Sequence, residues 1–262
     1  MDSSWGWASH AEGRDTKVFG DYSHAEGYGS YVHREISCAH AEGNCTEVYG
    51  SNAHAEGNRS IAHDSHTHAE GDATKAYGAA SHAEGNQAKT YSAASHAEGY
   101  LTQAGPSDED RTQLGWSSTA DRTCAHAEGN KTKALHLASH AEGVNTIARG
   151  SASHTEGRGT VATAEFQHVQ GRFNYLDSNG SAGNYAHIIG GGTRVDNSVS
   201  WSDESNVVRK NIHTVDWNGN AFYAGKIEAT GIILKSSTPG STKRFLLTIN
   251  DNGEISTAEY TG

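Results

Sequence analysis

The pentapeptide Ser-His-Ala-Glu-Gly recurs along most of this chain of 262 residues, first at residues 9–13. Its histidines follow one another at a step of 14 residues in eight of ten intervals, and the two exceptions are steps of 16 and 30. A short fixed period with insertions absorbed between copies is typical of a solenoid in which each repeat forms one coil. We therefore predict an all-β solenoid of 14-residue coils with about 11 repeats.

Composition limits both the core and the partners of such a solenoid. Hydrophobic residues make up only 34% of the chain, so each coil encloses a thin core. The net charge is −11, and without a basic stripe this argues against nucleic-acid binding. No apolar run is long enough to predict membrane insertion, and no signal-peptide pattern is expected at the start. Three cysteines without C-x-x-C spacing predict neither a disulfide framework nor a zinc knuckle.

The coil at residues 81–94 shows how the period divides. Two five-residue segments are separated by two-residue turns, and the two-residue period of a strand assigns their side chains to opposite faces. In the second segment of most coils, Thr alternates with Ala or Val, so this small column is predicted inside the coil, with Lys, Glu, Arg, Phe and Tyr outside. Glycines are expected at strand ends, where tight corners or positive φ are needed. These positions include Gly13, Gly20, Gly27 and Gly78.

The repeat pattern Ser-x-Ala-x-Gly, followed by x-x-Thr-x-Ala-x-Gly, resembles the head repeat of trimeric autotransporter adhesins, the YadA-like β-roll. Where that family has Val and Ile, this chain has His and Glu. The chain resembles more closely the His-Ala-Glu-Gly repeats of phage tail-fibre and appendage proteins. The resemblance covers roughly residues 9–171. It implies a left-handed parallel β-roll that assembles as a homotrimer.

Stacked coils would align the ten His-x-Glu pairs into one column of imidazoles and one column of carboxylates. Within each column, equivalent residues of successive coils would lie about 4.8 Å apart. Pairing each carboxylate with an imidazole N–H relieves repulsion and should raise the histidine pKa. We predict a structural, hydrogen-bonded ladder, either buried in the roll or facing the trimer contact. Its members are His10, Glu12, His24, Glu26, His40, Glu42, His54, Glu56, His68, Glu70, His82, Glu84, His96, Glu98, His126, Glu128, His140, Glu142, His154 and Glu156.

Three other interpretations of the ladder compete with the structural one. His with Glu suits zinc, nickel or iron, although ten equivalent sites exceed what a metal role requires. A catalytic dyad is disfavoured because an active site is single and asymmetric. A pH sensor remains an alternative, since many histidines would titrate together. We predict no catalytic residue, no metal and no cofactor, and keep metal binding on the ladder as the alternative.

Outside the repeats, the sequence predicts a β-roll over residues 1–171, a transition coil and loop over 172–211, and a β-hairpin tip over 212–262. The long step of 30 places an acidic inserted loop near residues 105–122. Asn218-Gly219 and Asp251-Asn252-Gly253 each predict a hairpin turn. The segment around Asn220-Ala221-Phe222 and the hairpin that follows resemble the C-terminal ends of phage appendage proteins, including those of an autocleaving intramolecular-chaperone family.

These observations predict a non-enzymatic, structural and receptor-binding component of a phage tail fibre, located in the virion. Its partners would be two further copies of itself and a host cell-surface polysaccharide or protein receptor. A bacterial trimeric surface adhesin at the cell surface, or a self-cleaving tailspike-type protein, is the alternative. Aromatic residues in the inserted loop and the tip are the candidates for glycan contact: Trp116, Trp201, Trp217 and Tyr223.

Overall fold

The computed structural model describes residues 3–116, 124–195, 206–225, 232–235, 238, 241–250 and 252–260. Within this part of the chain, the predicted parallel β-solenoid is confirmed, with about 11 turns and antiparallel hairpins after them. The chain divides into two compact units, residues 1–222 and 223–262. In the described residues, no helix has the length and apolar character needed to cross a bilayer.

The solenoid has two sheets that are parallel within the coils, because most coils contribute one strand of five residues and one of two. The long-strand sheet has 14 strands, and most of them begin at a repeat histidine. They are His10–Arg14, His24–Tyr28, His40–Asn44, His54–Asn58, His68–Asp72, His82–Asn86, His96–Tyr100, His126–Asn130, His140–Val144, His154–Thr155, His168–Arg172, Tyr185–Gly191, Asn211–Asp216 and Ala221–Tyr223. Equivalent residues are paired across coils, as in His68 with His82 and Glu70 with Glu84.

The short-strand sheet has 11 strands that lie opposite the long ones. They are Ser3–Ser4, Lys17–Val18, Tyr31–Val32, Glu47–Val48, Ile61–Ala62, Lys75–Ala76, Lys89–Thr90, Gln103–Ala104, Lys133–Ala134, Ile147–Ala148 and Val161–Ala162. Strands of two residues are sufficient because each is hydrogen-bonded in parallel to the equivalent strands of the coils before and after it.

The interior of the solenoid is built from the small residues of both segments. Ala69, Thr74 and Ala76 are fully buried, so the predicted placement of the Thr and Ala column inside the coil is confirmed. Some of the buried hydroxyls are hydrogen-bonded along the stack: Thr74 Oγ1 donates to Ser60 Oγ at 2.9 Å, and Ser60 Oγ donates to the Gly71 carbonyl at 3.0 Å. The narrow core therefore combines alanine packing with hydroxyl hydrogen bonds.

The sequence predicts the strand-end glycines for either of two reasons, positive φ or a tight corner, and both reasons occur. Gly13 and Gly27 have φ of +112° and +107°, whereas Gly20 and Gly78 do not have positive φ. At Gly78 a Cβ atom would lie 2.1 Å from the Ser92 carbonyl oxygen of the next coil, so close approach requires glycine there. The left-handed corners are mostly occupied by other residues, about seven apart, such as Ala73, Ala80, Gln87 and Ala94.

The inserted segment near residues 105–122 contains a helix, Asp108–Leu114, where the sequence predicted only a loop. Ser107 caps its N-terminus in a capping box with Asp110, and Gly115 ends it in the left-handed conformation with φ of 67°. Residues 117–123 lie outside the described part of the chain.

Asp110 fixes this helix to the outer face of the short-strand sheet. It is only 7% exposed, and its Oδ1 accepts a hydrogen bond from Lys133 Nζ at 3.0 Å. Its Oδ2 accepts hydrogen bonds from Gln103 Nε2 and Ser107 Oγ. Burial alone would raise the pKa of Asp110, but the hydrogen bonds from Ser107, Gln103 and Lys133 outweigh it and lower the pKa.

We expect the substitution Asp110→Asn to release the helix, at a local cost of about 2 kcal/mol, because a buried amide cannot replace the charged partner of Lys133. Amide hydrogen exchange in residues 108–114 should accelerate while exchange in the coils stays unchanged. Asp108→Asn is the matched control, since the Asp108 side chain is fully exposed on the same helix. Equal exchange in both variants would contradict this anchoring role.

After the last repeat histidine the solenoid continues for one more strand and then reverses. Tyr185–Gly191 pairs in parallel with His168–Arg172, as the predicted extra coil requires. Asn211–Asp216 then adds in the antiparallel sense, and Ala221–Tyr223 follows it across the predicted Asn218-Gly219 turn. The stretch predicted as a transition coil and loop over residues 172–211 also contains a small antiparallel pair, Thr193–Arg194 with Val207–Val208.

The second unit contains one antiparallel sheet of three strands, Ile232–Lys235, Arg244–Ile249 and Ile255–Glu259. The second predicted hairpin is present, because Ile249 pairs with Ile255 across the turn that contains Gly253. Asp251 in that turn lies outside the described residues.

Candidate functional site

The His/Glu ladder faces outward from the long-strand sheet. The alanine between each pair points into the coil and is fully buried, as at Ala69 and Ala83. Six of the histidine side chains keep between 33% and 41% of their surface exposed. Imidazole and carboxylate groups are too large for the alanine-lined interior, so they occupy the outer face.

The imidazoles form a continuous stack along this face. Ring centroids from His40 to His168 are separated by 4.6–4.9 Å, and the planes differ by less than 10°. This spacing follows from the distance between neighbouring strands. The parallel coils thus hold a row of stacked aromatic rings beside a row of carboxylates.

The hydrogen bonds predicted within the ladder form at only a few rungs. His154 Nε2 and His168 Nε2 approach Glu142 and Glu156 of the preceding coil at 3.3 Å. At six rungs the imidazole Nε2 lies 3.8–4.0 Å from the carboxylate of its own strand, which is too long for a hydrogen bond. Among the described residues no hydrogen-bond partner reaches the buried Nε2 atoms of His24, His40, His54, His68, His82, His96, His126 and His140.

The expected increase in histidine pKa is wrong for part of the ladder. Burial lowers the pKa of His54, His82 and His140, and the neighbouring imidazoles lower it further. The nearby glutamates act in the opposite direction but do not compensate. The prediction included only the effect of the carboxylate on the histidine pKa. A stacked imidazole is also shielded from water and lies between two other imidazoles, and both effects lower its pKa.

The ladder extends beyond the repeats that the sequence identified. His187 is in register with His168, and their rings lie 5.1 Å apart. Gln170 Nε2 lies 3.0 Å from His187 Nε2, and the ring of His213 follows at 5.7 Å. The pentapeptide motif missed His187 because it stands in a different sequence context, Tyr-Ala-His-Ile-Ile. The sequence signal that could have identified His187 is a histidine within an apolar strand, one coil after His168.

Four groups on the ladder bring two histidines and one glutamate close enough to be considered for a metal ion. In each group the ligand atoms lie within 4.8 Å of one another, as in His68, Glu70 and His82. Zinc–nitrogen bonds of about 2.1 Å place two bound nitrogens at most about 4.2 Å apart. Rings stacked at 4.6–4.9 Å would have to tilt toward each other to share one ion. The resting geometry therefore suits stacking better than chelation.

A second aromatic column runs along the short-strand sheet. The rings of Tyr31, His33, Tyr49, His63, Tyr77 and Tyr91 follow one another at 3.6–5.6 Å. Burial, followed by a hydrogen bond to Glu47, raises the pKa of Tyr49 to about 12. The inserted helix follows directly after this column. The outward direction predicted for tyrosine in the second segment is consistent with the partial exposure of Tyr49 and Tyr77.

Trp116, one of the four aromatic residues predicted for glycan contact, lines a cleft behind the inserted helix, which we call the Trp116 cleft. Its volume is about 260 Å³, and its other walls include His136, Arg149, Ser151, Glu165 and Ser181. The Trp116 ring lies perpendicular to that of His136, with centroids 4.9 Å apart. The cleft thus combines an aromatic wall with several polar side chains.

The protonation of His136 is fixed by its neighbours. Its Nδ1 accepts a hydrogen bond from the Leu137 backbone N–H at 2.9 Å and lies 2.6 Å from Ser151 Oγ. Because Nδ1 accepts, the proton of the neutral ring resides on Nε2. Burial lowers the pKa of His136 and so favours the neutral form. The charge of Glu165 acts in the opposite direction but does not compensate. His136 is therefore a neutral hydrogen-bond donor near neutral pH.

Trp217, a second predicted aromatic, lines a neighbouring cleft of about 220 Å³, the Trp217 cleft, together with Glu165, Phe166, Ser181 and Ala182. Trp217 is 46% exposed and Phe166 is 66% exposed. Glu165 and Ser181 belong to both clefts, and the Glu165 N–H donates to the Ser181 carbonyl at 2.9 Å. The structure thus brings Trp116 and Trp217, far apart in sequence, to either side of one shared wall.

The shared wall is held by a buried polar network beneath it. Asp177 is 6% exposed and accepts hydrogen bonds from the backbone N–H groups of Asn184 and Tyr185 at 2.6 and 3.0 Å. Gln167 is fully buried and donates to Asp177 at 3.2 Å and to the Tyr185 carbonyl at 2.9 Å. The segment that carries Ser181 is therefore fixed at its base.

The other two predicted glycan residues are Trp201 and Tyr223. Trp201 lies outside the described residues. Tyr223 is 51% exposed and belongs to the second compact unit. Sequence reasoning missed His136, Glu165 and Phe166, because single residues from different coils have no shared motif.

Comparison of the chain with known protein families and with curated proteins finds no match.

Proposed function

We propose that this protein is a structural and receptor-binding component of a phage tail fibre or appendage. Three copies would form a rigid shaft that presents a glycan-binding surface to the host, and the protein would reside in the virion. The single observation that carries the proposal is the unbroken, in-register row of half-buried imidazoles and carboxylates along one face of the solenoid. The resemblance of the repeat to phage fibre and adhesin-head repeats supports it.

The ladder face supports assembly for two physical reasons. Eight imidazole nitrogens are buried without a hydrogen-bond partner among the described residues of one chain, which is costly if nothing compensates. Packing against another copy would exclude water and strengthen the attraction across the 3.8–4.0 Å imidazole–carboxylate gaps. The alanine-rich core also buries little apolar surface per coil, so an assembly would supply burial that the single solenoid lacks.

We expect a solution mass three times the 27.8 kDa of one chain, measured by light scattering after size-exclusion chromatography. The double variant Glu70→Lys and Glu84→Lys should reduce the mass to that of a monomer, because it removes two carboxylates from the ladder face and places the ammonium groups of neighbouring copies in the same contact. Lys75→Glu with Lys89→Glu is the matched control on the opposite sheet, and it should remain trimeric. A monomeric wild-type protein at micromolar concentration would contradict the assembly.

Receptor binding is tested separately with fluorescently labelled protein and candidate host cells. Binding that is removed when the cells are stripped of surface polysaccharide supports a glycan receptor. Binding that survives this treatment but is lost after protease treatment of the cells indicates a protein receptor instead.

A further inference from the structure

We infer that the Trp116 and Trp217 clefts are two adjacent subsites for consecutive sugar residues of a linear polysaccharide that is neutral or carries amino groups. This inference rests on the proposed receptor-binding function and deepens it by placing the binding site and defining its ligand class. The site lies at the last coils of the solenoid, within the first compact unit.

The sizes of the clefts indicate paired subsites. Their volumes of about 260 and 220 Å³ are each below the range of about 300–1,000 Å³ that is usual for small-molecule sites, whereas together they fall within it. The clefts share Glu165 and Ser181 and are open to the surface. A ligand that fills both must pass over this shared wall, which an extended chain of sugar units does.

The lining supports a sugar ligand. A pyranose ring has apolar C–H faces and a rim of hydroxyl groups, so it needs an aromatic platform flanked by donors and acceptors. The platforms are Trp116 in one cleft and Trp217 with Phe166 in the other. The neutral His136 in the Trp116 cleft carries a donor at Nε2. Glu165 lines both clefts and carries the acceptor.

The charges define which polysaccharide fits. Glu165 is exposed and lines both clefts, whereas the cationic Arg149 lines only the Trp116 cleft. The charged group that a ligand spanning both clefts passes over is therefore the Glu165 carboxylate. A carboxylate accepts from hydroxyl and amino groups but repels phosphate and carboxylate groups. The chain as a whole carries a net charge of −11, which also disfavours a polyanion. A neutral or amino-bearing polymer is thus preferred over a teichoic-acid type of polymer.

The site is also pre-organised, which lowers the entropic cost of binding. The network of Asp177 and Gln167 fixes the segment that carries Ser181. Phe166 is tied to the neighbouring coil by its N–H, which donates to the Ser151 carbonyl at 2.8 Å. Rigid walls of this kind increase affinity without additional contacts.

The experiment is biolayer interferometry of the full chain against three immobilised probes: a linear neutral glucan, a chitosan oligomer and a poly(glycerol phosphate). We expect the wild-type chain to bind a neutral or amino-bearing probe. Trp116→Ala and Trp217→Ala should each weaken that binding at least tenfold, which is typical for a buried aromatic contact. Glu165→Arg should also weaken it, and because Glu165 is exposed this variant leaves the fold intact. Trp7→Ala is the matched control, since Trp7 is 68% exposed at the other end of the solenoid.

The outcomes separate this inference from the proposed function. If wild type binds a probe and all three variants bind equally well, the site is elsewhere and only the inference is overturned. If only one of the two tryptophan variants weakens binding, the assignment of two subsites is overturned. If only poly(glycerol phosphate) binds, the assignment of the ligand charge is overturned. If wild type binds neither the probes nor host cells, the receptor-binding function itself is overturned.

Discussion

Replacing Gly71 by alanine is expected to break the solenoid in its middle. Gly71 has φ of +119°, a conformation that side chains rarely adopt, and an added Cβ atom would lie 2.0 Å from the carbonyl oxygen of Gly85 in the next coil. The backbone of one coil cannot move away without losing its hydrogen bonds to the next. The cost should exceed about 4 kcal/mol, in the range reserved for changes that disrupt a fold.

The same close contact recurs at nearly every coil, which explains why the motif ends in glycine. In the ladder strands from Gly13 to Gly157, an added Cβ would approach the glycine carbonyl oxygen of the following coil to 2.0–2.3 Å. Because each coil of a solenoid contacts only its neighbours, a break at Gly71 should divide the stack into two shorter stacks. Thermal unfolding followed by circular dichroism should show a much lower Tm or two separate transitions.

Gly115→Ala is the control for the backbone conformation alone. Gly115 also has positive φ, at +67°, but nothing lies within 4 Å of the position that its Cβ would occupy. Alanine there should cost only about 1 kcal/mol and leave one transition. If Gly71→Ala unfolds as cooperatively as this control, the close approach of neighbouring coils is not what requires glycine.

Much of the fold could be predicted because the solenoid repeats a local rule. The period, the strand alternation and the small inward column all follow from which residues recur every 14 positions. The left-handed corners could not be predicted, since residues such as Ala73 and Gln87 have no intrinsic preference for that conformation and adopt it because the coil closes there. The inserted helix did have a local signal, Ser107 with acidic residues in the first turn and Gly115 at the end.

The candidate site was only partly predictable. The sequence indicated Trp116 and Trp217 as candidates for glycan contact, because they are aromatic residues outside the repeats. It gave no indication of the wall between them. That wall combines Glu165 from one coil with Ser181 from the segment after the last repeat, and a backbone hydrogen bond joins the two. The buried Asp177 fixes the same segment through Asn184. Such a juxtaposition depends on the whole stack and on one insertion, so no local pattern in the sequence encodes it.

Lowering the pH from about 7.5 to about 5 is expected to destabilise the solenoid and lower its Tm by several degrees. Burial, together with the adjacent imidazoles, lowers the pKa of His54, His82, His140 and His187 below the ordinary value of 6.5 in the folded protein. The unfolded chain therefore binds more protons than the folded chain as the pH falls below 6.5. The stability is fully present above that pH and is lost as the pH decreases toward the lowered values.

The glutamates add a second step at lower pH. Burial would raise the pKa of Glu142, but the hydrogen bond with His154 and the charges of protonated His140 and His154 outweigh it and lower the pKa below the ordinary value of 4.5. A carboxylate with a lowered pKa stabilises the fold above its ordinary pKa, and this contribution is lost as the pH falls through the folded value. The histidines and Glu142 therefore both reduce the stability of the fold as the pH falls, the histidines below pH 6.5 and Glu142 below pH 4.5.

The triple variant His54→Gln, His82→Gln and His140→Gln should reduce the change in Tm between pH 7.5 and 5, because the groups that exclude protons from the folded state are gone. The titratable neighbours that face them are the remaining ladder histidines and glutamates of adjacent coils, which the variant retains. His66→Gln is the matched control: His66 is exposed at a left-handed corner, a conformation that Gln87 also adopts. A triple variant that loses as much stability in acid as this control would show that the stacked imidazoles are not the origin of the effect. The ladder would then be a packing feature of the outer face rather than its pH-dependent element.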